Sequence, residues 1–305
     1  MRVMIAGGSG LIGRALTESL ISDNHEVIVI SRNPDDVDYL PFGAKAIGWN
    51  ARDLAEHMED VDANVNLAGA SIAGESLFKM RWTAKRKKQI LESRLRAGRI
   101  LSEVIQSAEQ KPEVLIQSSA VGFYGPLKDE LVDEDHPAGK DYLADVCREW
   151  ENSTRPVESL GVRRVIIRTG LVFTNRGGIF PLLRLPFSWF VGGYIGDGQQ
   201  YLSWIHMDDV VHAVRFFIDN KQTQGIYNLS SPSPVKNIDF ARMLGMAMRR
   251  PSRLPIPSFA LRFALGEAAT LALDGQRAFP KRLLEAGYIF KYAAFADALP
   301  SLLRF

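Results

Sequence analysis

The segment Gly7-Gly8-Ser9-Gly10-Leu11-Ile12-Gly13 constrains the fold of this chain more than any other stretch. It carries two overlapping spacings, G-x-G-x-x-G at Gly8, Gly10 and Gly13 and G-x-x-G-x-x-G at Gly7, Gly10 and Gly13. An aliphatic, β-type run over residues 2–6 precedes it, and an amphipathic stretch over 11–22 follows. A strand, a tight glycine turn and a helix in that order make a dinucleotide phosphate loop. Gly7 and Gly8 permit the turn, Gly10 leaves room for a pyrophosphate against the backbone, and Gly13 lets the helix pack close to the strand. The phosphates would sit at the helix N-terminus, where unpaired N–H groups and the macrodipole favour anions. The whole loop, Ser9, Leu11 and Ile12 included, is therefore expected to bind the cofactor.

The pattern after the loop agrees with this reading. Short β-branched runs at 2–6, 26–31, 44–48, 63–67, 114–118 and 164–168 alternate with helical intervals that include 11–22, 83–107 and 142–160. Each interval is long enough for the right-handed crossover that parallel strands require. Six such strands before about residue 170 predict an α/β fold, a Rossmann-type doubly wound parallel sheet. Residues 1–170 are thus expected to form the nucleotide-binding domain. Beyond Gly170 the texture changes to aromatic residues interrupted by Pro181, Pro186, Gly192, Gly193, Gly196 and Gly198. A helix-like 208–217 and a strand-like 225–229 suggest that parts of 200–230 return to the first domain. The remainder of 171–305 reads as a smaller, mainly helical substrate-side region, with Pro251, Pro255, Pro257 and Pro280 separating its later pieces.

The choice of cofactor is read at the end of the second strand. About 20 residues after the glycines, an acidic side chain would accept from the ribose 2′-hydroxyl of NAD. The residues here are Ser31-Arg32-Asn33, and an arginine fork suits the 2′-phosphate of NADP instead. Asp35 and Asp36 stand close by and complicate that reading.

Composition excludes several classes of function. With 305 residues, 46% hydrophobic and 24% charged, the chain can bury a substantial core, and it does not fit a disordered or fibrous class. A formal net charge of +2 is too small for general attraction to nucleic acid or membrane. No uncharged run approaches the ~18 residues of a membrane span, and the apolar N-terminal run is too short for a signal-peptide core. The single cysteine, Cys147, cannot make an intrachain disulfide or a cysteine zinc cluster, which points to a reducing compartment and the cytoplasm.

Several further segments resemble the short-chain dehydrogenase/reductase superfamily, in its extended, nucleotide-sugar-epimerase-like branch. Asn66-Leu67-Ala68-Gly69-Ala70 is similar to the segment that lies along the cofactor after the fourth strand. Ser118-Ser119-Ala120-Val121-Gly122-Phe123-Tyr124-Gly125 resembles the serine-bearing strand end that finishes in Tyr-Gly, and Trp204-Ile205-His206-Met207-Asp208-Asp209-Val210 resembles an I-H-V-D-D-V segment. The match is closer still to the NADP-binding "epimerase family" proteins. It rests on Arg81-Trp82-Thr83, Ser93-Arg94, Gly266-Glu267, Gly275-Gln276-Arg277 and the run from Pro280 to Tyr288, the later ones within a C-terminal module of about 250–305. The resemblance implies that NADP contacts Leu67, Ala68, Gly69, Arg94 and Ser118 in addition to the loop, Ser31 and Arg32.

It also implies catalysis by Ser119 and Tyr142, with one departure. The superfamily's Y-x-x-x-K pairs the tyrosine with a lysine one helical turn on, whereas Tyr142 is followed at that spacing by Val146. Aligning Tyr124-Gly125 on the family pattern places Ala120 at the usual serine position, with Ser119 adjacent. A phenol near its reference pKa of about 10 is a poor base at neutral pH. Lys140 is two residues away, on a different helical face. The function expected is an NADP(H)-dependent oxidoreductase acting on a small carbonyl or alcohol. A nucleotide-sugar epimerase and a non-catalytic NADP-sensing or scaffold protein are the alternatives.

Three other groupings invite functional readings. Residues 79–99 hold nine basic side chains against one acid, Glu92, but Leu91, Leu95, Gly98, Leu101 and Ile105 mark one apolar helix face, so the charges are expected to be solvated rather than bound to nucleic acid. His206, Asp208, Asp209 and His212 lack the further ligands a metal centre needs, and a helix N-terminus capped by Asp208 or Asp209 is the simpler reading. The aromatic residues Phe187, Trp189, Phe190, Tyr194, Tyr201 and Trp204 suit an apolar substrate pocket or a core equally. The partner expected is a small-molecule substrate, neither nucleic acid nor membrane, with homodimerisation left open.

Overall fold

The computed structural model describes residues 1–35, 40–72 and 81–304. Seven parallel strands form its central sheet: β1 (Arg2–Ala6), β2 (Glu26–Ile30), β3 (Lys45–Ile47), β4 (Ala63–Asn66), β5 (Val114–Ala120), β6 (Arg163–Thr169) and β7 (Gly225–Leu229). Their order across the sheet is β7-β6-β5-β4-β1-β2-β3. The chain winds outward in both directions from β1, which pairs with β2 on one side and β4 on the other. The crevice beyond the carboxyl ends of β1 and β4 is the switch point where sheets of this type bind ligands.

Alternation along the strands builds a core on each face. Val3, Val29, Val65, Ile116 and Ile167 meet Leu16 and Leu20 of α1 (Leu11–Ser22) on the first face. Met4, Ile28, Ile30 and Leu115 meet Leu54 and Met58 of α2 (Ala51–Met58) and Leu101 and Ile105 of α3 (Ala84–Ser107) on the second. Strands buried on both sides read as continuous apolar runs, which is why the sequence marks them so clearly. The interval 142–160 is divided: α4 (Tyr142–Asn152) ends, and a 3-10 helix, Arg155–Leu160, follows with Pro156 near its start. Pro156 has no N–H to continue the α-helical ladder.

After β6 come α5 (Ile179–Ser188), α6 (Met207–Asp219), α7 (Asn237–Met248) and α8 (Ser258–Leu265). Val210, Val214 and Phe217 of α6 complete the first sheet face. A third core, built on Phe173, Phe180, Phe187, Trp204, Phe240 and Phe295, joins α5 and α7 to the C-terminal residues. The chain's last part also reaches the core of the sheet's first face, where Leu283 and Tyr288 are buried, while Arg277–Ala278 pairs with Leu131–Val132 in a separate two-stranded ribbon. Among the described residues no helix is long and apolar enough to cross a membrane.

Candidate nucleotide site and its neighbouring polar network

The glycine loop joins β1 to α1, and three of its glycines are required by close approach, Gly7 and Gly13 of backbone and Gly8 of a side chain. A Cβ on Gly7, which holds φ +80°, would lie 2.8 Å from the Leu67 carbonyl carbon; one on Gly13 would lie 2.4 Å from the Gly7 oxygen. A Cβ on Gly8 would strike Val29 at 2.7 Å. Gly10 differs, because its Cβ would meet only the Gly7 oxygen, at 3.2 Å, and otherwise open space. Gly10 is also the N-cap of α1 and supplies no side-chain acceptor to the first-turn N–H groups. An open space above uncapped N–H groups fits the diphosphate of a dinucleotide. Ser9 is exposed beside it, while Leu11 and Ile12 pack against the first-face core.

The neighbouring strand ends complete the cleft. Ser31 is buried and its hydroxyl accepts from the Asn33 N–H at 3.1 Å, which leaves Arg32 exposed at the end of β2. No ion pair is made by Arg32 among the described residues; Asp36 lies outside them. At the end of β4, Asn66 donates to Gln117 at 2.9 Å and accepts from the Ala68 N–H at 3.2 Å, so the Leu67-Ala68-Gly69 turn is tied to β5. The Gln117 amide donates onward to the Ser118 carbonyl at 2.7 Å.

Arg94 supports this turn from α3. Its guanidinium donates to the Ala70 and Ile90 carbonyls at 3.0 and 2.9 Å, lies 4.7 Å from the Trp150 ring centroid, and would be 3.1 Å from a Cβ on Gly69. Burial lowers its pKa. Ser93 accepts from the Ala70 N–H at 2.9 Å. The expected apolar face of α3 is therefore shifted: Ile90, Arg94, Ala97 and Leu101 are buried, while Leu91 and Leu95 are half-buried. The cause is Arg94, which turns inward to Trp150 and the Gly69–Ala70 backbone. Residues 79 and 80 of the basic segment lie outside the described residues.

Ser119 and Tyr142 enter different networks, and no hydrogen bond joins them. The Tyr142 hydroxyl donates to the Lys87 carbonyl at 2.9 Å, and its ring meets Trp82 edge-on at 5.5 Å. Burial raises its pKa against the opposing pull of Arg94 and Arg86. Val146 is buried in the apolar cluster of Trp82, Ile90 and Ala268. Lys140 precedes the Asp141 N-cap of α4 and is exposed.

Ser119 instead donates to Glu151 of α4 at 2.6 Å. Arg168 grips both oxygens of that carboxylate at 2.8 and 3.0 Å and donates to the Tyr124 hydroxyl at 3.2 Å, which in turn donates to Asn228 at 2.6 Å. Phe123 stacks on the Arg168 guanidinium at 3.3 Å. Ser119, Arg168 and Asn228 are register partners on β5, β6 and β7, so the network is one row across the carboxyl end of the sheet. Glu151, Arg168 and Asn228 escaped the sequence reading. A signal existed in strand parity: Arg164, Ile166 and Arg168 alternate onto the helix-covered face, where an unpaired arginine would be costly.

The His206–Asp209 segment is a structural clamp. His206 itself caps α6, its Nδ1 accepting from the Asp208 N–H at 3.1 Å, in place of the expected aspartate. Asp208 pairs with Lys291, while buried Asp209 accepts from the Lys291 and Tyr292 N–H groups at 2.7 and 3.0 Å and from the Tyr288 hydroxyl at 3.2 Å. Among the described residues no cluster of three His, Cys, Asp or Glu side chains could hold a metal. The aromatic run divides: Phe187 and Trp204 are core, whereas Trp189 and Phe190 are exposed. A groove of about 790 Å³ between α1 and α6 lies beside the cleft, and Leu11 is the one predicted site residue on its wall.

Residues 3–173 match the model of the NAD dependent epimerase/dehydratase family, and residues 256–302 match a domain of unknown function, DUF1731. The chain belongs to the NAD dependent epimerase/dehydratase family. More particularly, it is 38% identical over 310 residues to the "Epimerase family protein SDR39U1 homolog, chloroplastic" of Arabidopsis thaliana, covering 100% of this chain and 87% of the relative. It is 36% identical to Epimerase family protein YfhF of Bacillus subtilis, over 99% of this chain and 98% of the relative. The crystal structure of human epimerase family protein SDR39U1 (isoform2) with NADPH aligns over 100% of both chains with a TM-score of 0.91 and 32% identity.

Proposed function

We propose that this chain is a cytoplasmic NADP(H)-dependent oxidoreductase of short-chain dehydrogenase type, acting on a small carbonyl or alcohol. The observation that carries the reading is the open cradle at Gly10, followed at the end of β2 by exposed Arg32 where NAD enzymes of this fold place a carboxylate. The human relative holding NADPH supports the same cofactor. The α1 N-terminus would bind the diphosphate, Arg32 the 2′-phosphate, and Leu67, Ala68, Gly69 and Ser118 would line the cofactor's path. When bound, the cofactor supplies a hydride to a carbonyl carbon. Tyr142 keeps its proton at neutral pH because burial raises its pKa, and that proton is now donated to Lys87. Exchange of the Lys87 carbonyl for a substrate carbonyl would deliver it, so reduction is favoured over alcohol oxidation. The free, buried Cys147 accords with a reducing compartment.

Screening NADPH consumption over a carbonyl panel, with Tyr142→Phe beside the wild type, tests the reading. Turnover that falls in the variant is expected, and undiminished turnover removes Tyr142 from the mechanism. A second reading, an NADP-sensing protein without turnover, is favoured by Val146 buried among apolar side chains and by Ser119 held on Glu151. Tight NADPH binding without turnover on any carbonyl would move the weight to it.

A further inference from the structure

Helix α8 buries no residue, although its sequence is Ser-Phe-Ala-Leu-Arg-Phe-Ala-Leu. Phe259 and Phe263 are 76% and 84% exposed, and the helix is held at its end by Arg81, which donates to the Phe263 carbonyl at 2.6 Å. The chain leading into it lies against a second exposed apolar segment. Arg250 stacks on Phe190 at 4.0 Å, and Ile256 forms a bridge with Ile195. Trp189, 71% exposed, Val191 and Leu254 extend the same surface.

The charges within this surface are basic, with Glu267 and Asp274 bordering it beside Arg262. From residue 240 to residue 266 there are five arginines and no Asp or Glu. Arg242 pairs with Asp239, but Arg249, Arg250, Arg253 and Arg262 make no ion pair among the described residues. A near-neutral protein thus carries a local face of aromatic, aliphatic and arginine side chains. Aromatic rings and leucines enter the boundary of a bilayer, and arginines bury their stems while keeping their heads among lipid phosphates. A second copy of the chain fits less well, because a two-fold contact would set this arginine face against itself.

We infer that the face formed by residues 189–191, 249–254 and α8 docks reversibly on an anionic lipid surface. This runs counter to the expectation from net charge that no membrane is involved, because the charge is local. It stands independently of the proposed reaction.

Co-sedimentation with phosphatidylcholine vesicles, and with vesicles containing phosphatidylglycerol, is the test. Binding to the anionic vesicles alone, abolished by high salt, is expected. Arg249→Glu/Arg253→Glu and Phe259→Ser/Phe263→Ser should each weaken it at least about tenfold with unchanged thermal melting, as these side chains are exposed. Absence of binding to anionic vesicles, or full binding by both variants, would overturn the inference. So would a dimer in light scattering that Phe259→Ser/Phe263→Ser dissociates, which would assign the face to self-association.

Discussion

Glu151 shows how one carboxylate can organise a site edge. It receives Ser119 and both arms of Arg168, and all three side chains are buried. Glu151→Gln keeps the shape but leaves Arg168 without its counter-charge, so a loss of about 3–5 kcal/mol in urea unfolding is expected. Ser119→Ala removes one hydrogen bond and should cost only about 1 kcal/mol. A smaller loss in Glu151→Gln than in Ser119→Ala would show that the pair is not structural. His206 gives a pH dependence of known sign. Burial lowers its pKa below 6.5, against the pull of Asp208 and Asp209. As pH falls, the unfolded chain takes up this proton first, so stability present above about pH 6.5 declines between that value and the lower folded one. His206→Asn retains an acceptor for the Asp208 N–H, and its urea midpoint should fall less steeply from pH 7 to 5. An unchanged slope would assign the dependence to other groups.

At the scale of elements, the β1–α1 turn separates two duties that a glycine motif mixes. Gly13→Val would place carbon atoms into the Gly7 and Gly8 backbone and should lower the melting temperature outright. Gly10→Val, at ordinary extended backbone with open space beside it, should fold normally yet show no NADPH-induced rise in melting temperature. A full cofactor-dependent shift in Gly10→Val would move the phosphate site elsewhere. This turn was legible because close approach at Gly7, Gly8 and Gly13 leaves little alternative to glycine. The seven strands were legible too, 2–6 and 225–229 to the residue, most plainly β1 and β2, where double burial writes nearly unbroken apolar runs. Side-chain partnerships across the sheet were not. The meeting of Ser119 with Glu151, or of Arg94 with the Gly69–Ala70 backbone, depends on strand order and helix placement, which spacing within one segment does not encode. The helix cap failed for a similar reason: a histidine at the N-cap serves as acceptor only in the tautomer its surroundings select.

At the scale of the molecule, Asp209 fastens the C-terminal stretch to α6 through two backbone N–H groups and the Tyr288 hydroxyl. Asp209→Ala should leave those donors unsatisfied and raise hydrogen exchange across 288–302 well before β1 and β4 exchange. Uniform acceleration over the whole sheet would mean that the C-terminal stretch and the sheet open together. Glu134 adds a second fastening, accepting from the Asn228 N–H of β7 at 2.9 Å and the Arg282 N–H at 3.3 Å. Leu283 packs beside β7 and Tyr288 against Phe216 of α6, elements that a ribosome finishes about fifty to seventy residues earlier. At about 5–20 residues per second, the completed seven-stranded sheet must wait roughly 3 to 14 seconds for them, its first face partly uncovered at β7 and α6. A nascent chain of this design therefore offers an apolar sheet to chaperones for that interval, and a chain cut after residue 173 would offer it permanently.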